Sequence, residues 1–499
     1  MIRKVSKIVI SIIMTMLILL NYSIVNAAPS APPDGGKGSA PGGNSSSSNV
    51  SHTGATTISS DTNNNGETYS STTGSQNALL VNGGTSSISN TTVTKTGDAS
   101  GDNADFYGTN AGVLVKDGTL NIDNANITTN GSHANAVFAY SSGIINISDS
   151  TIKTTSNNSG AVMVTGGGTL TANNVTAETD GNSSAPIRSD RGGGTLTVNE
   201  GNYTSHGTGS PVIYSTADIT VNDATLTSTA SEGVVVEGKN SVTLNNVTME
   251  ATNTKLNGNS ETYKSIFIYQ SMSGDADVGT SEFTAKNSKI INNKGEIIFV
   301  TNTSTVINLE NNEIINNDST GGFLKIGAAK WGTSGKNGGD VTLNASNQTI
   351  DGNIYVDNIS SLKYSLLNGS KYTGTINADN TAKTLAITLD SSSTLTLTGD
   401  SYITALNNEV EDNSNINLNG HTLYVNGKSI TSTNYKGNEE ESAEITTDTA
   451  DTNTNVLTQI EQESIQGENT TSPILVALII LVAFLVITII LALIFRKKN

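Results

Sequence analysis

The sequence predicts an all-β protein, a right-handed parallel β-helix, with a signal helix at its N-terminus and one transmembrane helix at its C-terminus. Three observations lead to this fold class. A unit of 23–26 residues repeats along most of the chain. Each unit contains two or three short runs in which apolar and polar residues alternate, as in β-strands. Outside the two ends, no apolar stripe with helical spacing is long enough to predict a helix.

Each repeat contains a glycine-ended turn, an alternating strand, a polar anchor residue and a second apolar residue. Segment 118–128, GTLNIDNANIT, is one example, with Asn124 as its anchor. We expect each anchor at a bend, where its side chain bonds to its own backbone or to the next coil, so that an Asn ladder satisfies the amides. The anchors are Asn90, Asn124, Asp149, Asn174, Glu200, Asp223, Asn246, Asn287 and Asn311.

A unit of this size fits one coil of a β-helix, in which each short strand pairs with its equivalent about 4.8 Å away in the next coil. About a dozen coils are expected on this basis. The anchor steps from Asn90 to Asn124 and from Asn246 to Asn287 are longer, at 34 and 41 residues. These steps predict loops inserted at a corner, which often carry function. An array of immunoglobulin-like sandwiches is the alternative. Its modules need about 100 residues each and a core with larger aromatic residues, whereas this chain has a short repeat and a single tryptophan, Trp331.

The segments outside the repeats predict where the protein resides. Residues 1–27 resemble a signal peptide, and residues 473–495 form an apolar transmembrane helix that precedes a basic cytoplasmic tail, 496–499. This order predicts a single-pass cell-membrane protein with its N-terminus outside. Residues 28–76 are a low-complexity leader, 77–352 the β-helix repeats, 353–435 the terminal coils and a cap, and 436–472 an acidic linker.

The charge balance narrows the range of partners. The chain has 26 basic and 44 acidic residues, and six of the basic residues lie in the two end segments, which leaves 20 basic residues in the exported part. Such an excess of acid repels nucleic acid and favours divalent cations and basic surfaces. Because the chain has no cysteine, disulfide partners and thiolate metal sites are excluded.

Several phrases resemble a known group of proteins, namely 185–194 (APIRSDRGGG), 268–279 (IYQSMSGDADVG) and 397–402 (LTGDSY). Together with the repeats, roughly residues 79–425, they resemble the adhesin-like right-handed parallel β-helix surface proteins of anaerobic Gram-positive bacteria. The architecture is more distantly similar to the pectate-lyase-like superfold. This resemblance implies a fold and an extracellular location but little chemistry, because one fold hosts many functions.

The candidate ligand-binding residues centre on Arg188 and Arg191, the only arginines outside the end segments. Arg forms bidentate bonds to carboxylate or sulfate. Stacking of the coils, to within one residue of register, places other polar side chains beside Arg188, and Trp331 is suited to stack on a sugar ring. The full candidate set is Arg188, Asp190, Arg191, Tyr214, Glu237, Tyr269, Gln270, Lys330 and Trp331.

Two further interpretations concern the same region. Asp275 and Asp277 offer oxygen ligands for calcium, the one cofactor that the sequence suggests. Alternatively, Arg188, Asp190 and Arg191 form a structural turn network, and residues 274–279 are a turn without a ligand. Both interpretations stay open on the sequence alone.

These observations predict an adhesin-like protein that binds polysaccharide, or glycans of a host or of the cell envelope. A polysaccharide lyase or hydrolase and a structural envelope spacer are the two alternatives. No complete catalytic motif of the polygalacturonase type is found, since the chain has no Asp-Asp pair. His206-Gly207 resembles a histidine motif of those enzymes, but no Arg-x-Lys follows it.

Overall fold

The computed structural model describes residues 50–430 except Asn259, and these residues form an all-β parallel solenoid of about 15 coils. A complete coil contributes one strand to each of three faces, and each strand pairs in parallel with its equivalents in the neighbouring coils. The predicted parallel β-helix is therefore confirmed, with more coils than the dozen we expected. The repeat reflects strand pairing, because one coil alone cannot bury its apolar side chains.

Four strands continue from one face to the next, and the other strands stay on one face. The strands that pass from the first to the second face are β4 (Asn77–Ser89) and β6 (Val113–Asp123), and those that pass from the second to the third are β12 (Gly168–Thr179) and β14 (Gly194–Ser205). The other first-face strands are β1 (Gly54–Ile58), β8 (Val137–Tyr140), β11 (Val162–Thr165), β13 (Ile187–Ser189), β15 (Ile213–Ser215), β18 (Val234–Glu237), β21 (Lys264–Tyr269), β24 (Glu296–Thr301), β27 (Leu324–Ile326), β30 (Ile354–Val356), β35 (Ser401–Ile403) and β38 (Leu423–Val425).

The second and third faces are built from shorter runs of the same kind. The remaining second-face strands are β2 (Thr62–Asn65), β9 (Ile144–Ser148), β16 (Asp218–Asn222), β19 (Ser241–Asn245), β22 (Thr280–Lys286), β25 (Thr303–Glu310), β28 (Gly339–Ser346), β31 (Ser361–Leu367), β33 (Thr384–Leu389) and β36 (Ala405–Asn408). The remaining third-face strands are β3 (Thr68–Ser71), β5 (Thr92–Lys95), β7 (Asn126–Thr129), β10 (Thr151–Thr154), β17 (Thr225–Ser228), β20 (Thr248–Ala251), β23 (Lys289–Asn292), β26 (Glu313–Asn316), β29 (Thr349–Asp351), β32 (Lys371–Gly374), β34 (Thr394–Leu397) and β37 (Ile416–Asn417).

The core consists of apolar columns that run along the solenoid axis. One column behind the first face has at most 1% exposure at any of its positions. Each buried Val, Ile or Leu side chain contributes roughly 1.5–3 kcal/mol, so stacking turns a few apolar residues per coil into one continuous core. The members of this column are Val113, Val137, Val162, Ile187, Ile213, Val234, Ile266, Ile298, Leu324 and Ile354.

The predicted anchor column is confirmed as a ladder at one corner. All nine anchors have left-handed backbone conformations, with φ between 45° and 62°. Asn and Asp tolerate this region better than other non-glycine residues, which explains the composition of the column. The side chains bond from coil to coil: the Asn124 amide donates to Asn90 Oδ1 at 2.6 Å, and the Asn174 amide donates to Asp149 Oδ1 at 2.6 Å.

Two expectations about the first coils are corrected by the structure. Strands β1, β2 and β3 lie inside residues 28–76, which we expected to be a leader, so the solenoid begins earlier than predicted. Their inward positions include only Ile58 and Tyr69 as large buried apolar residues, so the apolar signal is weak there. A short helix, α1 (Asp102–Tyr107), is also present although none was expected. Six residues are too few to produce an apolar stripe.

The last coils contain a capping hairpin. Strand β39 (Lys428–Ser429) pairs antiparallel with β38, whereas the other strand pairings are parallel. Within the described residues, the last coil has no following coil to pair with, so its strand edges would be exposed. The antiparallel strand covers part of this edge. The predicted signal peptide (1–27), linker (436–472), transmembrane helix (473–495) and tail (496–499) lie outside the described residues. Within residues 50–258 and 260–430, no helix is long and apolar enough to cross a membrane.

Candidate functional site

The four longest turns of the described chain all adjoin the first face. We name them loop A (residues 96–112, with α1), loop B (252–263), loop C (270–279) and loop D (327–338). Loops A and B lead into first-face strands, and loops C and D lead out of them. Loop A accounts for the predicted 34-residue step, and loops B and C account for the 41-residue step, so the inserted loops are confirmed.

Loop A covers outward side chains of the first face that would otherwise contact water. Leu114, Phe138 and Met163 are neighbours in consecutive coils, and all three are fully buried. Ala111 of loop A packs in the same apolar cluster. The Thr165 hydroxyl donates to the Phe106 carbonyl oxygen at 2.7 Å, which anchors α1. Loop A is therefore fixed to the solenoid by apolar burial.

Loop D covers a second apolar patch on the same face. Phe267, Tyr269 and Phe299 are buried there, and the Trp331 ring lies 5.2 Å from each of the Phe267 and Tyr269 rings. Trp331, which we predicted to stack on a sugar, thus packs on two rings of its own chain while staying partly exposed. The Lys330 ammonium lies 2.9 Å from a Glu261 carboxylate oxygen, an exposed ion pair that links loops D and B.

Between these two apolar patches the first face is polar. Arg188 lies in register between Met163 and Tyr214, and only 5% of it is exposed. Its guanidinium donates to Asp190 Oδ2 at 3.1 Å and to the Ser183 carbonyl oxygen at 3.0 Å. Because both charges are buried and paired, this arrangement favours the structural network over direct contact between Arg188 and a ligand.

Arg191 joins the solenoid to two of the loops. Its Nε donates to Asp275 Oδ1 of loop C at 2.5 Å, and its Nη1 donates to Asp102 Oδ2 of loop A at 3.2 Å. The guanidinium carbon also lies 4.1 Å from the centre of the Phe106 ring. A planar, delocalised cation suits this combination of stacking and bonding. Arg191 therefore holds loops A and C against the same coil.

Acidic groups outnumber basic groups around this network. Burial raises the pKa of Asp190 to about 7; the nearby Asp275 and Asp105 carboxylates act in the same direction, and Arg188 offsets part of the effect. Asp105 is itself buried and accepts a 2.7 Å hydrogen bond from His133 Nδ1 if that nitrogen is protonated. The region thus holds a proton near neutral pH and is unfavourable for anions.

A buried carboxylate lies directly beneath loop C. Glu237 is completely buried, and its Oε2 accepts hydrogen bonds from the Tyr214 hydroxyl at 2.5 Å and the Tyr269 hydroxyl at 2.9 Å. Its Oε1 accepts a hydrogen bond from the Ser271 hydroxyl of loop C. Burial raises the pKa of Glu237, and these hydroxyl donors oppose the rise. Three hydroxyl groups therefore solvate one carboxylate, and no basic side chain within residues 50–258 and 260–430 pairs with it directly.

An open groove of about 250 Å³ lies at the corner between the first and second faces. Its floor contains Gly192, Gly193 and Gly194, all with positive φ. A Cβ atom at Gly192 would lie 2.8 Å from the Gly166 Cα atom of the previous coil, so glycine is required for this close approach. The polar side chains that line the groove are Thr216, Asp218, Lys239, Asn240, Asp275 and Asp277.

The two carboxylates predicted as calcium ligands are paired with basic side chains. Asp275 bonds to Arg191, and Asp277 Oδ2 lies 2.9 Å from the Lys239 ammonium. A calcium ion would have to replace these cations, so the calcium site stays a prediction without geometric support. A second group, Glu178, Asp180 and His206 on the third face, has ligand atoms within 4.8 Å of one another.

The second group is also occupied by a basic side chain. The Lys153 ammonium donates to Glu178 Oε1 at 2.6 Å and to Asp180 Oδ1 at 2.8 Å. The lysine ammonium therefore balances the negative charge of both carboxylates, and no metal ion is needed for this. All of these side chains are partly or largely exposed, as is usual for a surface ion-pair network.

The structure brings together most of the candidate set. Arg188 and Asp190 form one buried ion pair, and Tyr214, Glu237 and Tyr269 form a buried hydrogen-bonded cluster. The two lie side by side, because Arg188 and Tyr214 are partners in neighbouring coils. Gln270 instead donates from its Nε2 to the Ala276 carbonyl oxygen within loop C at 3.2 Å, and Lys330 lies at the outer surface of loop D. The sequence did not indicate the contributions of Asp102, Asp105, Lys239 and Ser271. The length of loop A marked an insertion, but no signal paired it with Arg191.

Comparison with known protein-family models, curated proteins and solved structures gave no match. The resemblance to adhesin-like surface proteins is therefore supported only by the phrases in the sequence and by the common architecture. Because a fold does not determine a function, the function must be argued from the loops, the groove and the buried network.

Proposed function

We propose that the chain is a membrane-anchored extracellular β-helix protein that binds uncharged polysaccharide or glycans, in the manner of an adhesin. The signal-peptide pattern of residues 1–27 and the apolar stretch of residues 473–495 support the location. The solenoid then holds its first face rigidly outside the cell. We place the glycan in the corner groove between the first and second faces.

The observation that carries this proposal is the position of the four inserted loops. Solenoid proteins often carry their binding surface on the one face from which insertions project. Here loops A, B, C and D all adjoin the first face, and Arg191 connects loops A and C beside the groove. Within residues 50–258 and 260–430, the corner between the second and third faces has no turn of comparable length.

The lining of the groove suits a ligand rich in hydroxyl groups. Lys239 and Asn240 supply donors, and Asp218 and Asp277 supply acceptors, in adjacent coils. A sugar hydroxyl both donates and accepts, so mixed partners of this kind can bind adjacent hydroxyls together. The glycine floor lets a ring approach the backbone closely. The excess of carboxylates disfavours anionic polymers, which directs the proposal to uncharged glycans.

Retention on immobilised polysaccharides tests the proposal. The full-length chain, in detergent micelles, is passed over mannan, β-glucan, mucin glycans and polygalacturonate. We expect retention on at least one uncharged polymer and none on polygalacturonate. Lys239→Ala/Asp218→Ala should weaken retention about tenfold, as expected for the loss of two ligand hydrogen bonds.

The matched control removes an exposed ion pair from the third face, Lys289→Ala/Glu313→Ala, where the two charges are 3.0 Å apart. This control should be retained like the unaltered chain. Equal retention of both variants would contradict a binding site in the groove. Absorbance by unsaturated sugar products, recorded in the same experiment, would instead favour the polysaccharide-lyase alternative.

A further inference from the structure

Loop C is attached to the solenoid mainly by polar contacts. Asp275 pairs with Arg191, Asp277 pairs with Lys239, and the Ser271 hydroxyl bonds to Glu237. Its two large apolar side chains point to solvent, with Met272 59% and Val278 58% exposed. Displacement of loop C would therefore expose little apolar surface, whereas loop A cannot leave without exposing its apolar cluster.

The hydrogen bonds to the buried Glu237 carboxylate come from both the solenoid and loop C. Tyr214 and Tyr269, on strands β15 and β21, hold one oxygen of the buried Glu237 carboxylate. Among the side chains that the structure describes, Ser271 alone bonds the other oxygen, and the Ser271 and Ser273 hydroxyl oxygens are 2.6 Å apart. Two hydroxyls so close together resemble the adjacent hydroxyls of a sugar ring.

We propose that loop C is a movable strap, and that Glu237 with Tyr214 and Tyr269 forms a concealed subsite for two adjacent sugar hydroxyls. In the closed form, Ser271 and Ser273 take the place of those hydroxyls. The class of ligand rests on the proposed glycan-binding function, and the subsite extends the corner groove beneath the strap. The groove and the subsite share the strap as a wall, because Asp275 and Asp277 line the groove.

Exchange of serine hydroxyls for sugar hydroxyls explains how the strap can open without leaving a buried charge unsolvated. A buried carboxylate that loses its hydrogen bonds is strongly destabilising. Glu237 keeps its two tyrosine partners when the strap leaves, and the ligand restores the third donor. Arg191 likewise keeps Asp102 when Asp275 departs, because the two carboxylates bond to different nitrogens.

A reversible cross-link can hold the strap closed in the full-length chain. The protein has no cysteine, so Lys239→Cys/Gly279→Cys introduces a single thiol pair. A Cβ atom at Gly279 would lie 2.6 Å from the Lys239 Cβ atom, close enough for a disulfide after a shift of about 1 Å. The same preparation is measured reduced and oxidised on the polysaccharides named above, with Lys239→Cys alone as the matched control, because it lacks the same groove-lining ammonium.

We expect the reduced double variant to be retained as weakly as Lys239→Cys, because both lack the same groove-lining ammonium, and the oxidised form to bind about tenfold more weakly still, as for the loss of a charged hydrogen-bonding subsite. Glu237→Gln should lose the same increment, and its melting temperature, measured in parallel, shows whether the fold is kept. Equal retention of the oxidised and reduced forms would overturn the strap while leaving the proposed function intact.

A second experiment can support the concealed subsite while contradicting the open groove. Asp275→Asn weakens the strap's attachment and keeps the shape of this groove-lining side chain, while the groove's Lys239 and Asp218 are unchanged. Retention of this variant, when the unaltered chain is not retained, would support the concealed subsite and contradict an open groove. If neither form is retained on any polymer, both the subsite and the proposed function are wrong.

Discussion

The Arg191 Nε atom lies 2.5 Å from Asp275 Oδ1, although 84 residues separate the two positions in the chain. Both side chains are only 10% exposed, so this ion pair is largely shielded from solvent. It is the contact by which one coil holds loop C, while a different nitrogen of the same guanidinium holds loop A. The pair therefore couples two insertions that are distant in sequence.

Asp275→Asn should loosen loop C without unfolding the solenoid. The amide keeps the shape of the carboxylate but loses the charge, and hydrogen bonds to charged groups are worth about 1.5–3 kcal/mol. We expect amide exchange in residues 270–279 to rise about tenfold, with no change in residues 113–165. Asp277→Asn is the control, because its exposed pair with Lys239 should be worth at most about 1 kcal/mol. Equal effects of both changes would contradict the special role of Arg191.

Asn174 should contribute to stability through both its backbone conformation and its ladder bond. Asn174→Ala loses the 2.6 Å bond to Asp149 and places alanine at φ 51°, a combined cost of about 1–3 kcal/mol. Asn174→Gly loses the bond but accepts the backbone conformation, so it should cost about 1 kcal/mol less than alanine. Urea unfolding midpoints measure both. A glycine variant no more stable than the alanine variant would show that backbone conformation is unimportant at this corner.

The solenoid was predictable because its determinants recur locally. Strand alternation and the anchors at a 23–26-residue spacing are visible in each repeat, and parallel pairing then determines the register, as for Arg188 beside Tyr214. The first coils were missed because β1 to β3 contain few large apolar residues, so they resemble a low-complexity leader. The helix α1 was missed because six residues, fewer than two turns, give no periodic signal.

The proximity of several candidate residues was predictable from the sequence, but their burial was not. The register expected from the sequence placed Tyr214, Glu237 and Tyr269 beside Arg188. In the structure, the column of Arg188 and Tyr214 continues with Val235 and Phe267, and Tyr269 pairs with Glu237 two positions further along the strands. An outward residue of a solenoid normally meets solvent. Whether an inserted loop covers such a residue depends on contacts across more than 80 residues, as between Arg191 and Asp275. No local pattern encodes such contacts. The sequence therefore grouped several side chains that do lie near one another, but it assigned them to an open surface, whereas the structure buries them.

Protonation of Asp190 should make the protein more stable in mild acid than at alkaline pH. The group titrates near about 3.9 in an unfolded chain and at about 7 in the fold, where Arg188, Asp275 and Asp105 surround it. The folded state binds the proton more tightly, so this contribution is complete below about pH 4 and is lost as the pH rises through about 7. Asp190→Asn, which stays neutral, should flatten the fall in melting temperature between about pH 5 and pH 8. An unchanged slope would show that Asp190 is ionised throughout.

Asp318 should show the opposite dependence and serves as the comparison. The Gly295 amide and the amide and hydroxyl of Thr320 bond to its carboxylate and lower its pKa to about 2. Its contribution is therefore present above about pH 4 and is lost as the pH falls through about 2. Asp318→Asn should reduce the loss of stability on acidification without altering the slope near pH 7. A change near neutral pH would contradict this assignment.

Lys264 and Glu232 form a buried ion pair whose two halves should be strongly coupled. Their charged atoms are 2.9 Å apart, and the side chains are 1% and 9% exposed. Lys264→Met leaves a buried carboxylate without its cation and should cost about 3–5 kcal/mol. Lys264→Met/Glu232→Gln removes both charges and should recover most of that loss. The exposed pair of Lys286 and Glu310, 3.1 Å apart, is the control and should contribute less than about 1 kcal/mol.

Trp331 distinguishes packing within the chain from contact with a sugar, and it is the only tryptophan, so its fluorescence is unambiguous. Trp331→Ala would uncover Phe267 and Tyr269, whose rings lie 5.2 Å away, and should lower the free energy of unfolding by about 1–3 kcal/mol. Trp331→Phe should cost less, because it keeps an aromatic ring in contact. Since Trp331 packs on these rings and not in the corner groove, we expect its emission maximum to stay constant when a retained polysaccharide is added. A shift on binding would instead place the indole against the sugar, as the sequence alone suggested.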